Sequence, residues 1–395
     1  MYLTEKHIIK RTHPFYNECD RLCFQSKNIY NQGLYNVRQH YFNTKTYLNY
    51  YGNYNLTKTQ ECYDYLPKKV FCQTLKHVDM VFKSFFALLK NKTVKNRLPK
   101  YLDKVNGRYA ATFPKQAIGL REFKKTGKLR LSQTDIYIST KLIDFSSLKE
   151  VRIVPRMHHY VIEVVYQVKE KTRCDNGKYA SIDLGLNNLA TVAFNEGSKP
   201  LIVNGRPLKS INQYYNKKKA KYQSRLKGGK RTSKRICTLT VKRNNKVTDY
   251  LHKASRLLVN QLVSQGITTL VIGKNKNMKQ DINIGKVNNQ NFVQLPIMRF
   301  ADLMKYKCEL EGIKVLFNEE SYTSKCSFLD GEPICKHDKY MGKRVKRGLF
   351  VSRNGIKINA DVNGAYNIML KAVPNAFADG IEGVGVHPMV LTIKK

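Results

Sequence analysis

Carboxylates are scarce in this chain, 29 Asp and Glu against 71 Lys and Arg, so the few that close apolar runs stand out. A charge beside a buried strand costs free energy unless it is paired or ligates a metal. Asp183 is one such residue, after Tyr179-Ala180-Ser181-Ile182 and before Leu184-Gly185-Leu186-Asn187-Asn188-Leu189. Asp361 is another, within Ile358-Asn359-Ala360-Asp361-Val362-Asn363-Gly364-Ala365-Tyr366-Asn367-Ile368, where the following residues read as helix. A third run, Ile313-Lys314-Val315-Leu316-Phe317-Asn318, leads into Glu319-Glu320. Read singly, Asp183 could cap a turn and Asp361 could favour a helix N-terminus through its charge. Read together, they supply what metal-dependent phosphodiester cleavage needs: carboxylates at one point, sharing oxygen ligands between two divalent ions that activate water. Adjacent residues on an extended strand point to opposite faces, so only one of Glu319 and Glu320 can join them.

The elements that must position these side chains follow from the hydrophobic pattern. Tyr179 to Asp183 reads as a buried strand, Leu189 to Phe194 as its hairpin partner, and 269–272 as a further strand. Ile211 to Leu226, Ile236 to Val263 and Pro296 to Glu311 read as helices, which gives an α/β domain. Upstream, Phe71, Leu75, Val78, Phe82, Phe85 and Leu89 recur every three or four residues and mark a core-facing helix after Pro67. A helix opens near His13-Pro14, and the Asn- and Tyr-rich stretch from Tyr30 to Tyr54 reads as helix followed by polar loop. Between Tyr109 and Val168, short alternating runs predict a small β-barrel or sheet that recruits residues 1–12 as an edge strand. His158-His159 is expected within one of its strands, in a structural role.

The formal net charge is +42, which points to a polyanionic partner. No acidic residue lies between Glu196 and Asp249, while basic residues accumulate there on predicted helices. Lys217, Lys218, Lys221, Arg225, Lys230, Arg231, Lys234 and Arg235 are therefore the expected nucleic-acid contacts, with Lys325 beside the carboxylate-bearing run. A membrane role is not expected, since no run of 18 apolar residues occurs, and the opening Met1-Tyr2-Leu3-Thr4-Glu5 lacks a basic-then-apolar leader. The chain is expected to be cytoplasmic and nucleoid-associated. Its nine cysteines form no repeating framework and read as reduced thiols. The 25 Tyr and 17 Phe offer faces for base stacking as well as core.

Taken in order, the segment Leu270-Val271-Ile272-Gly273-Lys274-Asn275-Lys276, the segment Tyr322-Thr323-Ser324-Lys325 and the Asp361 motif, with Asp183 upstream, resemble the nuclease motifs of the TnpB family. That family comprises transposon-encoded RNA-guided nucleases similar to type V CRISPR effectors and Fanzor proteins. The resemblance covers most of the chain and implies a multidomain α+β protein. Its parts would be a first strand at 1–12, a helical recognition module at 13–97, a β-barrel (wedge-like) domain at 98–178, a RuvC-type, RNase H-like nuclease domain at 179–371 with an inserted loop at 321–358, and a tail at 372–395. It further implies an Asp-Glu-Asp triad with two Mg2+ ions, a guide RNA from the transposon end, and a double-stranded DNA target cut beside a short transposon-associated motif. A separate transposase would be a further partner. The opposing reading is a nuclease-inactive RNA-guided DNA-binding protein; a guide-independent transposase or resolvase fits the charge and the large N-terminal half less well.

Two departures from the family pattern bear on the chemistry. The strand at 270–272 is followed by Gly273 where many members carry the middle glutamate, so the resemblance implies a displaced ligand. Glu320 matches that position best, with Glu319 in reserve. The family's two cysteine pairs are also missing: Cys326, Cys335 and His337 remain, and residues 343–358 hold neither Cys nor His, so no zinc site is expected. Asn363 and Asn367 are candidates to orient Asp361.

Overall fold

The computed structural model describes residues 1–90, 97–274, 294–378 and 380–393, and within them the chain divides into two units, Met1–Lys169 and Glu170–Lys395. Residues 91–96 lie outside the described residues, as does the 275–276 end of the Gly273 motif.

The first unit joins helices and sheet around one core. Its elements are β1 (Tyr2–Ile9), α1 (Tyr16–Thr44), α2 (Tyr50–Thr57), α3 (Lys68–Leu89), β2 (Ala111–Pro114), α4 (Leu120–Thr126), β3 (Lys128–Arg130), β4 (Tyr137–Ser139), β5 (Leu148–Pro155) and β6 (Tyr160–Gln167). β1, β6, β5 and β2 form a four-stranded antiparallel sheet in that order, and β3 and β4 form a ribbon. The edge-strand expectation for the first residues is met by pairing from Tyr2 with Gln167 to Ile9 with Tyr160. Leu22, Ile29, Phe71 and Leu75 of the helices share a cluster with Phe113, Val151, Ile153 and Ile162 of the sheet. The α3 stripe is buried from Phe71 to Phe82, but Leu89 at its end is exposed.

Two local expectations are corrected. No polar loop runs to Tyr54: α1 continues to Thr44 and α2 follows, capped by the Asn49 side chain, which accepts from the Gly52 amide. The amides that suggested a loop are instead inside, where Asn36 donates to Asn53 and Thr57 at 3.2 and 3.0 Å. Satisfied among themselves, they are tolerated in the core. His158 and His159 lie in the turn between β5 and β6 and not within a strand.

The second unit contains β7 (Tyr179–Leu184), β8 (Asn188–Phe194), β9 (Leu201–Asn204), α5 (Arg206–Gln223), α6 (Lys234–Ser264), β10 (Thr269–Gly273), α7 (Ile297–Leu310), β11 (Lys314–Asn318), β12 (Lys343–Lys346), β13 (Leu349–Val351), β14 (Lys357–Asn359), α8 (Ala360–Ala372) and β15 (Met389–Leu391). The six-stranded sheet runs β11-β10-β7-β8-β9-β15. β7, β8 and β9 form an antiparallel meander, and β10 and β11 extend it in parallel beyond β7. This is the RNase H-like arrangement that the resemblance implied. Side chains from α6 and α7 cover one face, packing Leu251, Leu258, Phe300 and Met304 on Ile182, Leu270 and Ile272. α8 covers the other face, with Val362 and Ala365 clustered with Ala193. The terminal segment, expected as a tail without assigned structure, contributes β15, paired in parallel with β9. No helix among the described residues is long and apolar enough to cross a membrane.

Candidate active site

β7 is flanked by β8 and β10, so its residues alternate between two covered faces. Ala180, Ile182 and Leu184 enter the core under α6 and α7. Ser181 and Asp183 therefore face α8, and Ser181 Oγ donates to the Ala365 carbonyl at 2.6 Å. α8 starts at Asn359, whose side chain accepts from the Asp361 and Val362 amides at 2.9 and 3.2 Å. That cap places Asp361 in the first turn, over the end of β7. The helix can ride this close because Gly364 lacks a side chain: a Cβ there would lie 3.2 Å from Asp183 Oδ2.

The third carboxylate comes from the far edge. β10 pairs with β7 through Ile272 and Ile182, so the next residues, Gly273 and Asp183, fall on the same face near the ends of neighbouring strands. On its other side Gly273 is level with Asn318 of β11, and Lys274 donates to the Asn318 carbonyl at 2.7 Å. The chain turns two residues later and Glu320 folds back over Gly273. A Cβ at 273 would fall on Glu320 Oε1, 2.8 Å from Glu320 Cγ and 2.7 Å from Ile368 Cδ1. The space a side chain at 273 would need is filled by the Glu320 carboxylate. Glu319 is exposed and turned away, its Oε2 accepting from Lys371 Nζ at 2.7 Å.

Burial, followed by the charges of Glu320 and Asp361, pushes the Asp183 carboxyl up to about 8, with Arg344 opposing the shift. Burial, followed by Glu319, lifts Glu320 to about 7. The bond from Lys371 holds Glu319 below its usual range. Asp183 thus sits in the field of both partners, where negative charge is costly and a divalent cation would offset it. Among the described residues no three Asp, Glu, His or Cys side chains converge as a ready-made metal cage. The three carboxylates share a field and a face of the sheet. Thr191 Oγ1, buried and without a hydrogen-bond partner among the described residues, belongs to the residue opposite Asp183 in the β7–β8 register, and it suits a hydrated cation there.

Asp183 and Asp361 line a cleft of about 440 Å3 whose walls include Asn188, Thr191, Arg206, Arg344 and Arg347. Asn188 Nδ2 donates to Asp361 Oδ2 at 2.7 Å, and Arg344 approaches Asp361 Oδ1 at 3.5 Å. The sequence reading missed both. Asn188 was detectable as the polar residue opening the return strand of the Asp183 hairpin, whereas Arg344 is carried to the site by the β12–β13 hairpin and has no local signature. Asn363 and Asn367 do not orient Asp361, contrary to expectation. Asn363 bridges the Cys326 carbonyl and the Phe328 amide, and Asn367 donates to the Thr323 and Cys326 carbonyls at 2.9 and 2.8 Å. On a helix, residues two and six past Asp361 face a different neighbour, the loop after Glu320.

That loop carries Lys325, exposed with its ammonium 5.8 Å from the Tyr340 ring centre and not among the residues lining the Asp183 cleft. Cys335 Sγ lies 3.4 Å from His337 Nε2, and the Cys326 thiol faces the Cys335 carbonyl. Buried Glu332 accepts from the Ser327 and Met341 amides at 2.6 and 2.9 Å, tying the ends of the loop together.

Of the expected nucleic-acid contacts, Lys218, Lys221, Arg225, Lys234 and Arg235 line a groove of about 1200 Å3 between α5 and α6, joined by Lys242, Arg243 and Lys246. Lys217, Lys230 and Arg231 are exposed nearby in sequence but do not line it.

Residues 160–279 match the family model OrfB_IS605, described as a probable transposase, and residues 298–368 match the model described as Cas12f1-like, TNB domain. The chain is 28% identical over 206 residues to a TnpB-like protein, ORF457, of Acidianus two-tailed virus, an alignment spanning 50% of this chain and 42% of that protein. It is 24% identical over 233 residues to the CRISPR-associated endodeoxyribonuclease Cas12f2 of a Micrarchaeota archaeon, spanning 55% of this chain and 41% of that one. The matches thus span about two-fifths of each relative's length. A solved mini-RNA-guided endonuclease, CRISPR-Cas_phi3, aligns at a TM-score of 0.49 and 9% identity over 98% of this chain and 94% of its own.

Proposed function

The chain belongs to the TnpB family, related to type V CRISPR effectors, and from that premise we propose that it is an RNA-guided DNA endonuclease of a transposable element. Target DNA would be cut beside a short motif by two-metal phosphodiester hydrolysis, with guide RNA and duplex DNA as partners. The observation that carries the reading is the Glu320 carboxylate over Gly273, on the face that bears Asp183 and Asp361. A chain that had merely lost its middle ligand would have no reason to fill that gap with a half-buried acid whose Oε1 is shut off from solvent, since burial of an unneeded carboxylate oxygen costs free energy.

Asp183, Glu320 and Asp361 would hold two Mg2+ ions, which supply activation of the attacking water and neutralise charge at the leaving 3′ oxygen. Asn188 fixes one oxygen of Asp361, so its carboxylate is already oriented before ions arrive. Arg344 brings a forked donor to the same cleft, suited to a phosphate oxygen pair, and Arg206 and Arg347 add positive charge on its walls. The α5–α6 groove supplies sequence-independent phosphate contact. The recognition role falls to residues 13–97 and 98–178, and cleavage to residues 179–371.

The test is to purify the protein, sequence the RNA that travels with it, and challenge it with a plasmid carrying the matching target. Wild type cuts with Mg2+, Asp183→Ala and Glu320→Ala do not, and Glu319→Ala does. Binding without cutting by the wild type would overturn the nuclease reading; loss of cutting in Glu319→Ala alone would overturn the choice of Glu320.

A further inference from the structure

The α5–α6 hairpin is secured to the rest of its unit only at its base. Between Asn212 and Val247 a single residue, Ile236, is buried, whereas the later part of α6 plants Leu251, Ala254, Leu258 and Leu262 in the core. The base is pinned: Arg243 donates to the Asn212 side chain and to the Gln294 carbonyl, each at 2.8 Å, and Asn216 and Gln294 exchange bonds at 3.0 Å. Toward the tip, the two helices are joined by the Tyr215 and Thr240 hydroxyls at 3.1 Å and, past the helix ends, by a 3.4 Å bond from Gln223 to the Arg231 carbonyl.

Charge opposes even this much order. The stretch between Asn212 and Val247 carries thirteen Lys and Arg and no Asp or Glu. The flanking acids, Glu196 and Asp249, are engaged with Lys178 at 2.9 Å and Lys253 at 3.0 Å. Like charges four residues apart on a helix repel, and Lys217 with Lys221, Lys221 with Arg225 across the helix end, and Lys242 with Lys246 stand so. Ile236, Thr238, Thr240 and Val241 add β-branched residues of low helix propensity to the first turns of α6. Helical stretches shorter than about 12–15 residues are marginal in water unless tertiary packing supports them, and here packing is thin and like charge is dense.

What the hairpin lacks is counter-charge. The groove of about 1200 Å3 between α5 and α6 gathers cations from both helices, where a row of phosphates would supply it. We infer that the outer part of the hairpin, residues 217–242, is an ordering switch, frayed in the free protein and folded when a nucleic-acid strand fills the groove. The inference rests on the reading that this chain binds nucleic acid, and adds that the occupant completes the groove that holds it. Loaded and unloaded chains then differ in the surface they offer at this end of the second unit.

The test is hydrogen exchange read by mass spectrometry on the full-length protein, freed of co-purifying RNA. Peptides covering 213–226 and 234–246 are compared with the core peptide 251–262. In the free protein the outer peptides are expected to exchange near the unprotected rate while the core peptide is protected. A fluorescent single-stranded oligouridylate RNA at about a hundred times its Kd is expected to slow the outer peptides about a hundredfold, since it binds the closed form. Lys217→Glu, at an exposed position off the groove, exchanges repulsion of Lys221 for attraction and is expected to slow them about two- to fivefold without RNA. Molar NaCl, which screens the repulsion, acts in the same direction. Protection that appears with RNA but with neither Lys217→Glu nor salt would overturn ordering in favour of mere cover by the bound strand. Outer peptides as protected as the core in the free protein, or unchanged when fluorescence shows the RNA bound, would overturn the switch while leaving the nucleic-acid reading intact. Failure of the RNA to bind would overturn that reading, and the switch with it.

Discussion

If Glu320 stands in for a side chain at position 273, the carboxylate can be moved back. Gly273→Ala places a methyl on Glu320 Oε1 and 2.7 Å from Ile368 Cδ1. Ile368 is buried in α8, so the glutamate must swing away. Overpacking of this kind costs about 1–3 kcal/mol, and if that strain is relieved by misplacing the ligand, cutting falls roughly ten- to hundred-fold. Glu320→Ala removes the ligand outright. Loss of even an outer partner of a metal ligand costs about 10–100-fold, so a hundred-fold drop is the lower bound. Gly273→Glu with Glu320→Ala then supplies a carboxylate from β10 into the volume just vacated, and is expected to cut at least about tenfold faster than Glu320→Ala alone, one decade being about 1.4 kcal/mol of barrier. The assay is single-turnover cleavage of a target plasmid at saturating Mg2+, with melting curves for each variant. A Gly273→Ala protein that melts and cuts like wild type would refute the packing argument. A Glu320→Ala protein that cuts normally would refute the assignment itself.

Asn188→Ala frees Asp361 Oδ2 and should raise the Mg2+ concentration needed for half-maximal cutting about 10–100-fold, with guide binding unchanged, as read by Mg2+ titration. Glu332→Ala removes the acceptor of the buried Ser327 amide and of the less buried Met341 amide and should destabilise the second unit by about 1–3 kcal/mol, measured by urea unfolding. In EDTA, Glu320 and Asp183 bind protons more readily folded than unfolded, because their carboxyls are lifted from 4.5 to about 7 and from 3.8 to about 8. Stability should therefore fall as pH rises from 4.5 through 8, and Asp183→Asn should flatten that slope in thermal melts. Each alanine at Lys218, Lys221, Arg225, Lys234 or Arg235 that removes a phosphate contact should lower the slope of log affinity against log salt by about one, for any sequence tested.

Much of this protein is local in its chemistry and therefore legible without coordinates. The excess of Lys and Arg announces a polyanion, and the 3.6-residue and two-residue periods of α3 and β1 mark which faces are turned inward. Asp183 and Asp361 were visible because each stands against apolar neighbours that the surrounding pattern commits to a strand or a helix. The Asn- and Tyr-rich stretch was misread because composition reports polarity but not whether amides satisfy one another, and Asn36 with Asn53 does so across two helices. The residues alone narrowed the third acid to Glu319 or Glu320, and the family resemblance favoured Glu320 without a physical reason for the choice. Only the parallel pairing of β10 with β11 brings Gly273 beneath a residue 47 positions later (320 less 273) and lets the missing side chain of one explain the burial of the other. Lys371 draws Glu319 outward, Asn188 steadies Asp361, and Arg344 arrives on a distant hairpin. Those are contacts between segments far apart along the chain, and a complementary volume or a shared hydrogen bond leaves no periodic trace in either segment alone.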